Sequence, residues 1–139
     1  MLANRILIRD ALVKNPSSEA VVSGWIKQIK PLGKLIFITL RDRSGEMQLI
    51  AKKELDNFKV LSKVTRESSL VFKGNIQESK QKSGGNELEI KDFEILNQAE
   101  TPLPIDVGAG TSNIGKRLDH RFLDTREEKI NAIFKIRSK

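Results

Sequence analysis

The chain of 139 residues contains no cysteine, which excludes a disulfide framework and any thiolate metal centre. Its single histidine, His120, cannot build a metal cluster unaided. No run of about 18 apolar residues occurs, so no membrane span is expected. The start, Met1-Leu2-Ala3-Asn4-Arg5, lacks the charged-then-apolar layout of a secretory signal, and a reducing cytoplasm is the expected address. Also missing are a nucleophile–base pair and a glycine-rich phosphate loop of recognised spacing, so this chain by itself is not expected to be an enzyme. Hydrophobic residues are scarce at 38%, against 31% charged. Much of the chain should therefore be surface, linker or an interface whose partner lies outside it.

What is abundant is positive charge. The net charge of +7 favours a polyanionic partner and fast, salt-sensitive association. The length suits one small domain with a tail. Apolar Ile6, Leu7, Ala11 and Leu12 predict a short helix or arm within residues 1–17, ended by Asn15-Pro16-Ser17-Ser18. Strand-like runs follow at 20–30, 35–41 and 46–51, separated by the turn-rich Pro31-Leu32-Gly33-Lys34 and Asp42-Arg43-Ser44-Gly45. The second break reads as a hairpin with glycine at a position of positive φ. Leu55, Phe58, Leu61 and Val64 then predict a helix over 53–64. Strand chemistry returns at 68–78 and 87–96, around a Lys/Gly/Ser-rich loop at 79–86. Five strands with a helix between the third and fourth is the order of an OB-fold, an all-β five-stranded Greek-key barrel with short helices. The expected domain spans 18–97; a Pro/Gly-rich linker follows at 98–116, and a helix beginning at Glu127 presents an apolar side with no matching surface in the chain.

Alternation divides the strands into faces. Ile36, Ile38 and Leu40 point one way and Phe37, Thr39 and Arg41 the other; Met47, Leu49 and Ala51 face in and Glu46 and Gln48 out; Leu88 and Ile90 face in and Glu87, Glu89 and Lys91 out. Gln28 and Lys30 close the first strand at the same mouth. The outer face thus offers a ring, an amide, a carboxylate and several cations. An unstacked base wants these groups: stacking on a ring is worth about 1–3 kcal/mol. An amide such as Gln48 meets a Watson–Crick edge with donor and acceptor together, and Glu89 accepts from amino groups. Lys27, Lys30, Lys34 and Arg41 suit phosphates. Singly each residue fits a bland role: Phe37 a second packed face, Gln48 and Glu89 solvated strand positions, the lysines a soluble surface. Their convergence on one face points to single-stranded nucleic acid.

The spacing Gly24-Trp25…Gly33…Phe37…Leu40-Arg41-Asp42…Gly45…Gln48 resembles the anticodon-binding domain of class IIb aminoacyl-tRNA synthetases, which act on aspartate, asparagine and lysine. Leu96-Asn97-Gln98-Ala99-Glu100-Thr101-Pro102-Leu103-Pro104-Ile105-Asp106 looks like the connection of archaeal-type aspartyl-tRNA synthetases. Arg117-Leu118-Asp119-His120-Arg121-Phe122-Leu123-Asp124-Thr125-Arg126, with Ala132 to Arg137, is similar to the entry of their catalytic domain, here residues 117–139. Departures are Thr125, where the family usually has leucine, and His120, where asparagine or tyrosine is common. The resemblance implies Phe37 as the ring under the central anticodon uracil, Gln48 as its reader, Lys30 as a basic contact and Glu89 as a further base contact. It implies a parent aspartate–tRNA ligase using ATP and Mg2+, with no cofactor in this stretch. The implied partner is tRNA-Asp; Lys27 replaces a family tryptophan linked to tolerance for tRNA-Asn, so that second acceptor is left open. The parent is expected to be a homodimer through its catalytic domain, and this chain alone a monomer. The competing expectations are a free-standing OB-fold binding single strands or assisting another synthetase, and a protein-interaction module docking through the helix after Glu127.

Overall fold

The computed structural model describes residues 2–79, 85–107 and 112–138. They fall into two compact units, one up to Ala99 and one from Glu100.

In the first unit, five strands form a closed barrel: β1 (Glu19–Leu32), β2 (Leu35–Arg41), β3 (Glu46–Lys52), β4 (Ser69–Glu78) and β5 (Asn86–Asn97). The order around the barrel is β1-β2-β3-β5-β4, closed by β4 on β1, with only β3 and β5 parallel. This is the expected OB-fold barrel. Each strand supplies alternate apolar residues to one interior: Val22 and Ile26, Ile36, Ile38 and Leu40, Met47, Leu49 and Ala51, Phe72 and Ile76, Leu88 and Ile90.

Closure depends on β1 serving two neighbours. Its first half, Glu19–Trp25, pairs with β4; from Trp25 to Leu32 it pairs with β2. Gly24 sits at this changeover, where a Cβ would collide with the carbonyl of Arg41, so only glycine lets the strands approach. A two-residue turn then returns the chain to β2, with Gly33 at φ 60°, a backbone conformation other residues resist.

The helix expected over 53–64 is only one turn, Phe58–Leu61. Strict spacing of three matches a tighter winding than the 3.6-residue α-helix. Accordingly the segment makes separate three-residue turns, Leu55 N–H to Lys52 O, Phe58 to Leu55 and Val64 to Leu61, broken by Asn57 at φ 61°. The same apolar residues still reach the core: Leu61 and Val64 are buried, and Leu55 and Phe58 pack against it.

The N-terminal arm contains a 3-10 turn, Leu2–Asn4, and a short helix, Ile8–Leu12, whose Ile8 and Ala11 enter the barrel core. It is clipped by polar groups of the barrel. Asp42 Oδ2 accepts from the Ile8 N–H at 2.9 Å, Ser44 Oγ from Arg9 N–H at 3.0 Å, and Asn86 donates to the carbonyls of Leu12 and Lys14 at 2.9 Å. Asp42 also shapes its own turn, accepting from Ser44 and Gly45.

The second unit has helices at Ile114–Asp119, Arg121–Asp124 and Glu128–Arg137. Its buried cluster is small: Ile105, Val107 and Leu123. Arg117 Nε donates to Asp124 at 2.7 Å, and this bond holds the guanidinium above its ordinary pKa. Arg121 lies 5.0 Å from the centre of the Phe134 ring. Ile133 and Ile136 are exposed, the latter at 74%. Among the described residues no helix is long and apolar enough to cross a membrane. The expected loop and linker positions 80–84 and 108–111 lie outside the described residues.

Candidate nucleic-acid interface

Strand register assembles the outer face. One rung across the sheet runs Gln28, Thr39, Gln48; the next runs Lys30, Phe37, Ile50, Glu89. The inward partners of β2, Ile36, Ile38 and Leu40, are completely buried, so alternation forces Phe37 and Thr39 outward. Phe37 remains half-buried and outside the core cluster. It joins Gln28, Lys30, Thr39 and Gln48 around a shallow depression of ≈ 210 Å³. The expected ring, amide and cation therefore meet at one place.

Electrostatics around it are asymmetric. Lys30 and Lys34 are exposed and enter no ion pair among the described residues. Lys34 follows the hairpin glycine and does not line the depression. Gln48 is fixed from behind: its Nε2 donates to Glu87 Oε2 at 3.0 Å, and Gln77 donates to the other oxygen at 3.0 Å. A side chain held this way loses little rotamer freedom on meeting a ligand.

Three expected positions come out differently. Arg41, expected on the open face, is 9% exposed and gives both carboxylate oxygens of buried Glu67 a hydrogen bond, at 2.8 and 2.9 Å. Its guanidinium serves the barrel rather than the open face, because a buried carboxylate requires a paired cation. Glu89 lies one strand beyond the depression and is bonded by Lys52 at 2.6 Å. Glu87, expected on the outer face, is only 3% exposed there and accepts from two amides. Alternation puts both carboxylates on the outer face; it does not reveal which one stands beside Gln48, because that is set by the short parallel pairing of β3 and β5. Lys27, the remaining cation, reaches Glu46 at 2.6 Å.

Comparison with known proteins agrees with this geometry. Residues 20–96 match the tRNA anti-codon family model, described as an OB-fold nucleic acid binding domain. The chain is 42% identical over 125 residues to the aspartate–tRNA(Asp/Asn) ligase of Methanothermobacter thermautotrophicus, covering 87% of this chain and 29% of that protein. The chain thus spans less than a third of the length of this relative. The same fold occurs in asparaginyl-tRNA synthetase from Pyrococcus horikoshii, with a TM-score of 0.88 at 24% identity over 99% of this chain and 33% of that one. It occurs again in aspartyl tRNA synthetase from Entamoeba histolytica, with a TM-score of 0.84 at 17% identity over 96% of this chain and 35% of that one.

Proposed function

The chain belongs to the tRNA anti-codon family of OB-fold nucleic-acid-binding domains, and from that premise we propose that it reads the anticodon loop for an aspartate–tRNA ligase. The carrying observation is the depression where Phe37, Gln48 and Lys30 converge. A loop nucleotide leaves its own stack and lies on the Phe37 ring, exchanging base–base for base–aromatic contact. Gln48, held by Glu87, presents an amide to its Watson–Crick edge, which suits uracil. Lys30 and Lys34 neutralise adjoining phosphates without reading sequence. Glu89 is a more distant contact, reaching a base only by giving up Lys52.

The larger reading places residues 117–139 at the entry of a catalytic domain, which would cover the apolar side chains left exposed at Ile133 and Ile136. The aspartylation of tRNA-Asp, with tRNA-Asn as a second acceptor, in a cytoplasmic homodimer, belongs to that larger protein. The ATP and Mg2+ that such a ligase uses are assigned to the catalytic domain of that larger protein.

The test is a titration of labelled stem-loops carrying the anticodons GUC, GUU and UUU at two salt concentrations. Preference for GUC over UUU supports the aspartate reading, and the GUU result reports tolerance for tRNA-Asn. Equal, weak binding of all three overturns it and leaves a basic barrel of general use. Lys30→Ala is expected to lower affinity and to flatten the slope of log K against log salt by about 0.7, the share of one phosphate in a single strand.

A further inference from the structure

The N-terminal arm lies outside the matched residues 20–96, yet it grips the chain next to both Gln48 and Glu87. Ahead of β3, Asp42 and Ser44 accept from the N–H groups of Ile8 and Arg9 at 2.9 and 3.0 Å. At the start of β5, the Asn86 side-chain amide donates to the carbonyls of Leu12 and Lys14, at 2.9 Å each. Carbonyls at the C-terminal end of a helix lack intrahelical donors, and Asn86 supplies them. The arm helix has only five residues, too few to stand alone in water, so the arm and the β5 start support each other.

Glu87 follows Asn86 directly and holds Gln48 on one carboxylate oxygen and Gln77 on the other. The β3–β5 register sets Glu87 beside Gln48, but among the described residues the backbone pairing covers only Leu49 with Leu88 and Ile50 with Glu89. It stops one residue short of the Gln48–Glu87 contact. The β5 start is held instead by β4, where Glu78 pairs with Asn86 and Gln77 with Glu87. Its second anchor is the arm, reached by the Asn86 side chain on the face opposite Glu87.

We propose that Asn86 is a positioning residue for base recognition: by tying the β5 start to the arm it keeps Glu87 in place, and Glu87 keeps the Gln48 amide set at the Phe37 depression. The inference rests on the anticodon reading above and deepens it. A carboxylate accepts hydrogen bonds and cannot donate them. Turning the Gln48 oxygen toward Glu87 would set two acceptors against each other, so the carboxylate fixes which end of the amide points away from it. That control is sensitive to placement, because a hydrogen bond weakens steeply as its angle closes.

A double-mutant cycle tests this on the full chain, read as binding of a labelled stem-loop carrying the anticodon GUC. Asn86→Ala should weaken binding roughly three- to tenfold, within the coupling found inside one hydrogen-bonded network. In a Gln48→Ala background the same change should cost less than about twofold, because the amide it positions is gone. Should Asn86→Ala not fold, Asn86→Ser keeps one hydroxyl donor and runs the same cycle against the same criterion. Equal weakening in both backgrounds overturns the proposal and leaves Asn86 a brace of the barrel alone. No weakening in either background overturns it too. The anticodon reading survives both results as long as Gln48→Ala and Phe37→Ala each weaken binding. If neither does, that reading falls and the positioning role falls with it.

Discussion

The two units of this protein bury their apolar residues in opposite degrees. The barrel encloses Ile26, Ile36, Ile38, Leu40, Leu49 and Leu88 completely, whereas among its described residues the second unit gathers only Ile105, Val107 and Leu123 and leaves Ile133 and Ile136 in solvent. A closed sheet satisfies both its backbone edges and its apolar face within about 80 residues, as small barrels do. Three short helices have no comparable way to cover their apolar sides. The barrel is thus built to hold a surface in shape, with Phe37 standing on a strand whose other face, at Ile36 and Ile38, is completely buried.

Substitutions can break this contrast, beginning where the barrel depends most on a single contact. Glu67→Ala removes the carboxylate that accepts two hydrogen bonds from the buried Arg41 guanidinium and should cost about 3–5 kcal/mol of barrel stability in a denaturant melt. Ile38→Ala, which opens a cavity at a fully buried site, should cost about 2–5 kcal/mol in the same assay. Phe37→Ala sharpens the distinction between the two faces of β2. It should weaken RNA binding by about 1–3 kcal/mol while moving the unfolding midpoint far less than Ile38→Ala; a comparable loss of stability would return Phe37 to the core. Smallest of all, Ile136→Ser in the second unit should change stability by no more than about 0.5 kcal/mol, as for an ordinary surface position. A large loss there would show that its helix already has a packed partner.

Much of the barrel is legible in the sequence because strands obey a period of two. β2 begins and ends at Leu35 and Arg41, as the alternation indicates, and the other strands shift by one or two residues at their ends. The segment after β3 was less legible: its apolar residues do face the core, but a spacing of three produced turns around one short helical turn. At the candidate interface, Phe37, Gln48 and Lys30 are readable as outward neighbours, and the structure gathers them at one depression. Arg41 lies on the same side of β2, yet no pattern within β2 could reveal that Glu67, remote in sequence, would claim it. Glu87 illustrates the same limit. Its burial comes from Gln48 and Gln77, which lie on two other strands.

The sequence by itself determined which side of each strand is apolar, where glycine must stand and which chemical groups the outer face can present. These are local properties, written in alternation and in backbone freedom. Tertiary structure alone decided which of those groups meet. The parallel pairing of β3 with β5 chose Glu87 rather than Glu89 to hold Gln48, and barrel closure buried Arg41 against Glu67. Each choice joins residues far apart in the chain, and register between strands is set by the packing of the whole barrel rather than by any one of them.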